Sequence, residues 1–278
     1  MELRILNPAR SFFLAIWLSL CAGACMSASA QVVFVDYDDA SAKLHGEFPS
    51  RAQLAELTSA LHGAGAKAVV LKFFLDGPGK EPDNTQLAAA IGKGRTVLQA
   101  TINREPPTSR EFPARFRFAG KPPFDPAIRG DEGWLPLPRF SDKAVRVCFV
   151  DVRSPDQIPM LETFGGHPVP SLYACTLSEL LGAELTFSAG AAAFGTRRIA
   201  LSAQGEAAVS LDLRKRGTRL SASRIFAGQD WQPSVRGQVA VLMYTGPRSP
   251  TISIQGKADK VHDVFAAQIV ALQNLPGK

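Results

Sequence analysis

Val32-Val33-Phe34-Val35 is a run of consecutive apolar residues that ends abruptly in Asp36-Tyr37-Asp38-Asp39. A short apolar run without alternation fits a strand buried on both faces. Ser50 is a good helix N-cap, and Leu54, Leu57 and Leu61 follow at helical spacing until Gly63 and Gly65 stop the helix. Residues 67–75 read as the next strand, led by Ala68-Val69-Val70-Leu71, and Gly77-Pro78-Gly79 breaks it. Residues 84–91 read as a second helix and 95–102 as a third strand. Strands and helices alternating with short connections predict a mainly parallel sheet with right-handed crossovers.

Residues 103–140 are rich in proline and charge and interrupt that rhythm. Their aromatics Phe116, Phe118, Phe124 and Trp134 predict a surface excursion that packs down on the body of the protein. Beyond it the pattern predicts a strand over 144–152, a helix over 171–181, and two strands, 198–201 and 207–213, around Ala203-Gln204-Gly205. Arg214-Lys215-Arg216-Gly217 reads as an exposed turn, 238–244 as a late core strand and 261–275 as a closing amphipathic helix. The expected architecture is α/β: a single domain with a mainly parallel central sheet flanked by helices and an elaborated Pro-rich middle segment.

The N-terminus changes the picture of where this domain works. Arg4 and Arg10 precede an uncharged stretch with an apolar centre, Phe12 to Leu20, which fades into Ala28-Ser29-Ala30. A basic region, an apolar core and an Ala-x-Ala ending predict a signal peptide over 1–30, cleaved after Ala30. The alternatives are an uncleaved N-terminal membrane anchor, since about 20 apolar residues span a bilayer, and a lipoprotein cut before Cys25. The mature chain would be periplasmic or otherwise extracytoplasmic. Removing Arg4, Arg10 and Glu2 takes the net charge from +6 to +5, a mild excess spread along the chain that does not point to nucleic acid. Of four cysteines, Cys148 and Cys175 remain after cleavage. In an oxidising compartment they form a possible disulfide, with two separately buried thiols as the alternative.

Chemistry concentrates after the first strand. Asp36, Asp38 and Asp39 stand just past its C-terminal end, where open parallel sheets bind ligands, and three carboxylates could hold a cation or polar groups. The hhhh-Asp-x-Asp pattern is also similar to the haloacid-dehalogenase phosphohydrolases, but Ala40 stands where a Thr is expected. The acidic candidates Asp76, Asp151 and Asp263 sit in no recognisable motif. A third reading makes Asp38 and Asp39 caps of the following turn. Gly63-Ala64-Gly65-Ala66 follows a helix and lacks a third glycine, so it reads as a helix C-cap rather than a dinucleotide site. His45, His62, His167 and His262 share no metal-ligand spacing and read as surface or helix-end residues. No cofactor is expected.

Three blocks in order carry a wider likeness. They are Val33 to Asp39 with Phe48-Pro49-Ser50-Arg51; Gly65-Ala66-Lys67-Ala68-Val69-Val70 with Asp83 to Ala90; and Ser221 to Gly228 with Arg236 to Leu242. Through them residues 31–275 resemble the type-2 CHASE domain, an extracytoplasmic sensory module of bacterial histidine kinases and adenylate cyclases. Two segments depart from that family's pattern. Leu71-Lys72 stands where Phe-Asp is usual, and Asp263-Val264-Phe265-Ala266-Ala267-Gln268 stands where Gly-Val-Glu-Ile-His-Ala is favoured. The resemblance implies a non-catalytic sensory domain that binds an unknown small ligand through Asp36, Asp38, Asp39 and Arg51. It implies a partner as well, such as a membrane-bound sensor kinase or cyclase. The rival expectations are a divalent-metal phosphohydrolase using Asp36 and Asp38, and a structural envelope protein that has lost its ligand.

Overall fold

A computed structural model describes residues 31–276 apart from 103, 106, 108, 109, 189 and 255, so the expected leader, 1–30, lies outside the described residues. Six strands form the central sheet: β1 (Val32–Tyr37), β2 (Ala68–Lys72), β3 (Thr96–Ile102), β4 (Arg146–Phe149), β5 (Thr218–Ser221) and β6 (Val239–Tyr244). Their spatial order is β5-β1-β6-β2-β3-β4 and every pairing among them is parallel. Gly133–Trp134 adds a short antiparallel pairing at the end of β3. Residues of β1, β2, β3 and β6 are buried throughout, which explains why the sequence runs are apolar without alternation.

Odd positions of β1, such as Val33, Val35 and Tyr37, face a core shared with α1 (Asp39–His45), α2 (Arg51–Gly63) and α3 (Glu81–Ile91). Leu54, Leu57 and Leu61 supply the buried stripe of α2, whose start is fixed by a capping box between Ser50 and Gln53. The opposite face is covered by α4 (Leu172–Leu181) and α5 (Val261–Asn274), where Tyr173 packs on Phe265 with ring centroids 4.8 Å apart. Cys148 on β4 and Cys175 on α4 are joined in a disulfide that ties this helix layer to the sheet.

The middle segment packs down as its aromatics predict. Phe112 and Phe116 are buried, Phe112 meets Phe149 at 5.2 Å, and Trp134 sits edge-on to Phe74 at 4.9 Å. The two strands expected around Ala203-Gln204-Gly205 are present, the second shorter than the expected 207–213. Arg197–Ala200 pairs with Ala191–Phe194, and Glu206–Ala208 pairs with the distant Gln157–Pro159. Gly205 turns the chain between them with φ +76°. β5 carries one fully apolar residue, Leu220, and its strand character comes from pairing with β1.

Candidate functional site

Parallel register decides what meets at the end of β1. Asp36 lies opposite Ser221 of β5 and Met243 of β6, and Phe34 lies opposite Arg219. Asp36, Phe34 and Arg219 therefore share the face covered by α5. Arg219 donates two parallel hydrogen bonds to Asp36, Nε to Oδ2 and Nη2 to Oδ1, each 2.6 Å, with its guanidinium carbon 5.8 Å from the Phe34 ring centroid. This fork geometry is the strong form of an arginine–carboxylate pair. The same guanidinium reaches Asp263 in the first turn of α5 at 3.0 Å. Arg216 then binds Asp263 at 2.7 Å and Asp259 at 3.5 Å. The result is an alternating chain, Asp36–Arg219–Asp263–Arg216–Asp259, that joins β1, β5 and the segment leading into α5. Burial pushes the Asp36 carboxyl up to about 6 against the pull of Arg219. Arg219 Nη1 and Asp259 Oδ2 are buried with no hydrogen-bond partner among the described residues.

The other two aspartates do different work. Asp38 caps α1: its Oδ1 accepts from the Ser41 backbone N–H at 2.9 Å and from the hydroxyls of Ser41 and Ser221 at 2.8 and 3.0 Å. Asp39 is exposed in the first turn of that helix, 3.6 Å from the Lys260 ammonium, whose nitrogen also donates to the Thr245 carbonyl. Together Asp36, Asp38, Asp39, Arg216, Arg219 and Lys260 line an open, mixed-charge cleft of about 400 Å³. Arg51 is not part of it. Its guanidinium donates to Asn84 Oδ1 and the Gly77 carbonyl and lies 5.2 Å from the Phe140 ring centroid, bracing the loop after β2.

Arg216 is thus no feature of a purely exposed turn: the turn holds Arg214 out in solvent but turns Arg216 inward. His262 sits at a helix end, in the first turn of α5, with its ring turned inward. Burial, with the charges of Lys72 and Arg219, holds its ring well below the usual imidazole range, and it lies 3.2 Å from the Ser249 hydroxyl.

Behind the cleft, polar side chains continue between the sheet and the two helices. Lys72, at the end of β2, is buried with its Nζ 5.0 Å from the Phe265 ring centroid, and desolvation lowers its ammonium to about 7. Glu162 is completely buried, beside Asp151, and neither of its oxygens has a well-formed hydrogen bond among the described residues. Burial first, and the neighbouring Asp151 second, push its carboxyl well above the usual range. Asp151 accepts from the Thr101 hydroxyl at 2.5 Å and the Ile102 N–H at 2.8 Å, and its carboxyl is also raised, chiefly by burial. The Tyr173 hydroxyl donates to Gln268 at 2.7 Å. Glu162 and Gln268 carry no motif. Only a polar side chain inside an otherwise apolar segment marks them in the sequence.

Chemically, the cleft offers paired charges of both signs rather than a free nucleophile. Asp36 has both oxygens engaged by Arg219, and Asp38 is committed to a helix cap. Among the described residues no group of three His, Cys, Asp or Glu side chains is placed to hold a metal ion, and no helix is long and apolar enough to cross a membrane. A family model described as the CHASE2 domain matches residues 5–269. No curated protein and no solved structure gives a match.

Proposed function

The chain belongs to the CHASE2 domain family, whose members are extracytoplasmic sensory modules, and from that premise we propose that it is an exported, non-catalytic sensory or binding domain. CHASE2 domains typically sit in membrane sensor kinases or cyclases, and this one would signal through such a receptor as a partner. A cleaved leader over 1–30 would deliver it to the periplasm.

The observation that carries the reading is the alternating ion chain from Asp36 to Asp259. It brings residues 36, 216, 219 and 263 to one open cleft, with Asp259 behind them on Arg216, and Asp263 belongs to the closing helix. A small polar or zwitterionic ligand can compete for these pairs, and any rearrangement is passed to α5. The phosphohydrolase reading needs Asp36 free to attack phosphorus. Here a carboxylate does arrive from a later segment, Asp263, but the cation between the two is Arg219.

The test is turnover of an aryl phosphate by the purified protein with magnesium, with EDTA, and with Asp36→Asn. The sensory reading expects no turnover in any arm. Magnesium-dependent hydrolysis lost both with EDTA and with the substitution would replace it by the enzyme reading.

A further inference from the structure

A cavity of about 590 Å³ lies away from the aspartates, at the outer edge of β4. Two unpaired strand edges border it. Among the described residues β4 pairs only with β3, apart from a single bridge between Phe149 and Ser171, and Val145 and Arg146 at its start line the groove. Across the gap runs Leu185–Ser188, the edge strand of a three-stranded sheet, which presents Thr186 and Phe187. Exposed strand edges carry main-chain donors and acceptors that accept an added strand.

The charge of the lining selects what can be added. Arg115, Arg117, Lys121 and Arg146 line the groove with one acid, Glu184; Arg146 is shared between Glu184 at 2.5 Å and Glu179 at 3.2 Å, and Arg115 lies 3.4 Å from Asp142 outside the lining. Arg117 Nε is buried without a hydrogen-bond partner among the described residues, although the rest of its guanidinium binds Glu111, the Phe112 carbonyl and His167. Phe118 and Phe187, edge to face at 5.1 Å, form an apolar wall. A second copy of this chain meeting the first groove to groove would set the same cationic lining against itself. An acidic strand meets main-chain, aromatic and cationic partners at once.

We propose that this groove docks an extended peptide segment bearing carboxylates, supplied by a protein partner, as an added strand beside β4. The proposal rests on the partner-dependent reading above only for the source of the segment. Its failure would leave the aspartate cleft untouched.

The probe is a fluorescein-labelled six-residue peptide alternating valine and glutamate, followed by anisotropy against the purified protein. Two control peptides accompany it, one N-methylated at alternate amides and one with glutamine for glutamate. The unmodified peptide should bind, and N-methylation should weaken it at least about tenfold by removing ladder hydrogen bonds. Glutamine replacement should also weaken it about tenfold, and Lys121→Glu should weaken it about three- to tenfold with an unchanged melting temperature. Equal binding of the N-methylated peptide would make the groove a simple anion site and overturn the proposal. So would no binding at millimolar protein, or binding indifferent to Lys121→Glu.

Discussion

Lys72 and Phe265 are in contact: the Lys72 ammonium nitrogen lies 5.0 Å from the centroid of the Phe265 ring. One residue ends the second strand and the other sits on the closing helix. Both lie in segments where the sequence reading expects the chain to differ from the family it resembles, and here the two side chains meet. A cation over an aromatic face recovers about 0.5–2 kcal/mol, which offsets part of the cost of burying Lys72 but not all of it.

That imbalance has a measurable consequence. The Lys72 amine is depressed from 10.5 to about 7 in the folded state. The stability linked to it is therefore full above its unfolded value and is lost as pH falls through this window towards 7. Lys72→Met should stabilise the protein by roughly 1–4 kcal/mol at pH 7. The advantage should shrink at pH 9.5. Urea denaturation at the two pH values checks it, and a destabilised variant at pH 7 would show that the ammonium has a stabilising partner.

Glu162 works in the opposite sense. Its folded carboxyl is raised, so its contribution is full below the ordinary carboxylate range and is lost as pH rises towards the raised value. Glu162→Gln removes the titration and supplies a donor facing Asp151. The variant should match wild type near pH 5 and exceed it by about 1–3 kcal/mol at pH 8. Melting curves across that range decide it, and parallel curves would mean that Glu162 does not titrate there.

The pair at the head of the cleft should behave as one unit. Arg219→Met leaves Asp36 and Asp263 without their shared cation and should cost about 3–5 kcal/mol at pH 7. Adding Asp36→Asn to that variant should recover part of the loss, because it removes a buried charge that Arg219 no longer balances. A double-mutant cycle measures the coupling. Strict additivity would show that the two side chains do not interact in solution.

How much of this was readable from sequence follows from range. β1, β2, β3 and β6 announce themselves because strands buried on both faces need consecutive apolar residues, and α2 because Ser50, Leu54, Leu57 and Leu61 are local signals. β5 was not readable: its four residues become a strand through pairing with β1, more than 180 positions away. In the site, Asp36, Asp38 and Asp39 stood out by their place after an apolar run. Arg219, Arg216 and Lys260 did not, and Asp263 was one acidic candidate among several, since only the parallel register and the closing helix bring them there. Arg51, chosen for its place after Pro49, braces the loop at Gly77 instead.

The account stands or falls on ligand recognition at the mixed-charge cleft. The direct measurement is the melting temperature of the purified protein across a library of small zwitterionic, cationic and anionic compounds, beside the rim variant Asp39→Asn/Lys260→Met. That variant alters the exposed border of the cleft and leaves the Asp36–Arg219 pair in place. The account predicts that at least one class raises the wild-type melting temperature by several degrees and that the rise is reduced or lost in the rim variant. No shift with any class, or shifts of equal size in both proteins, would contradict it.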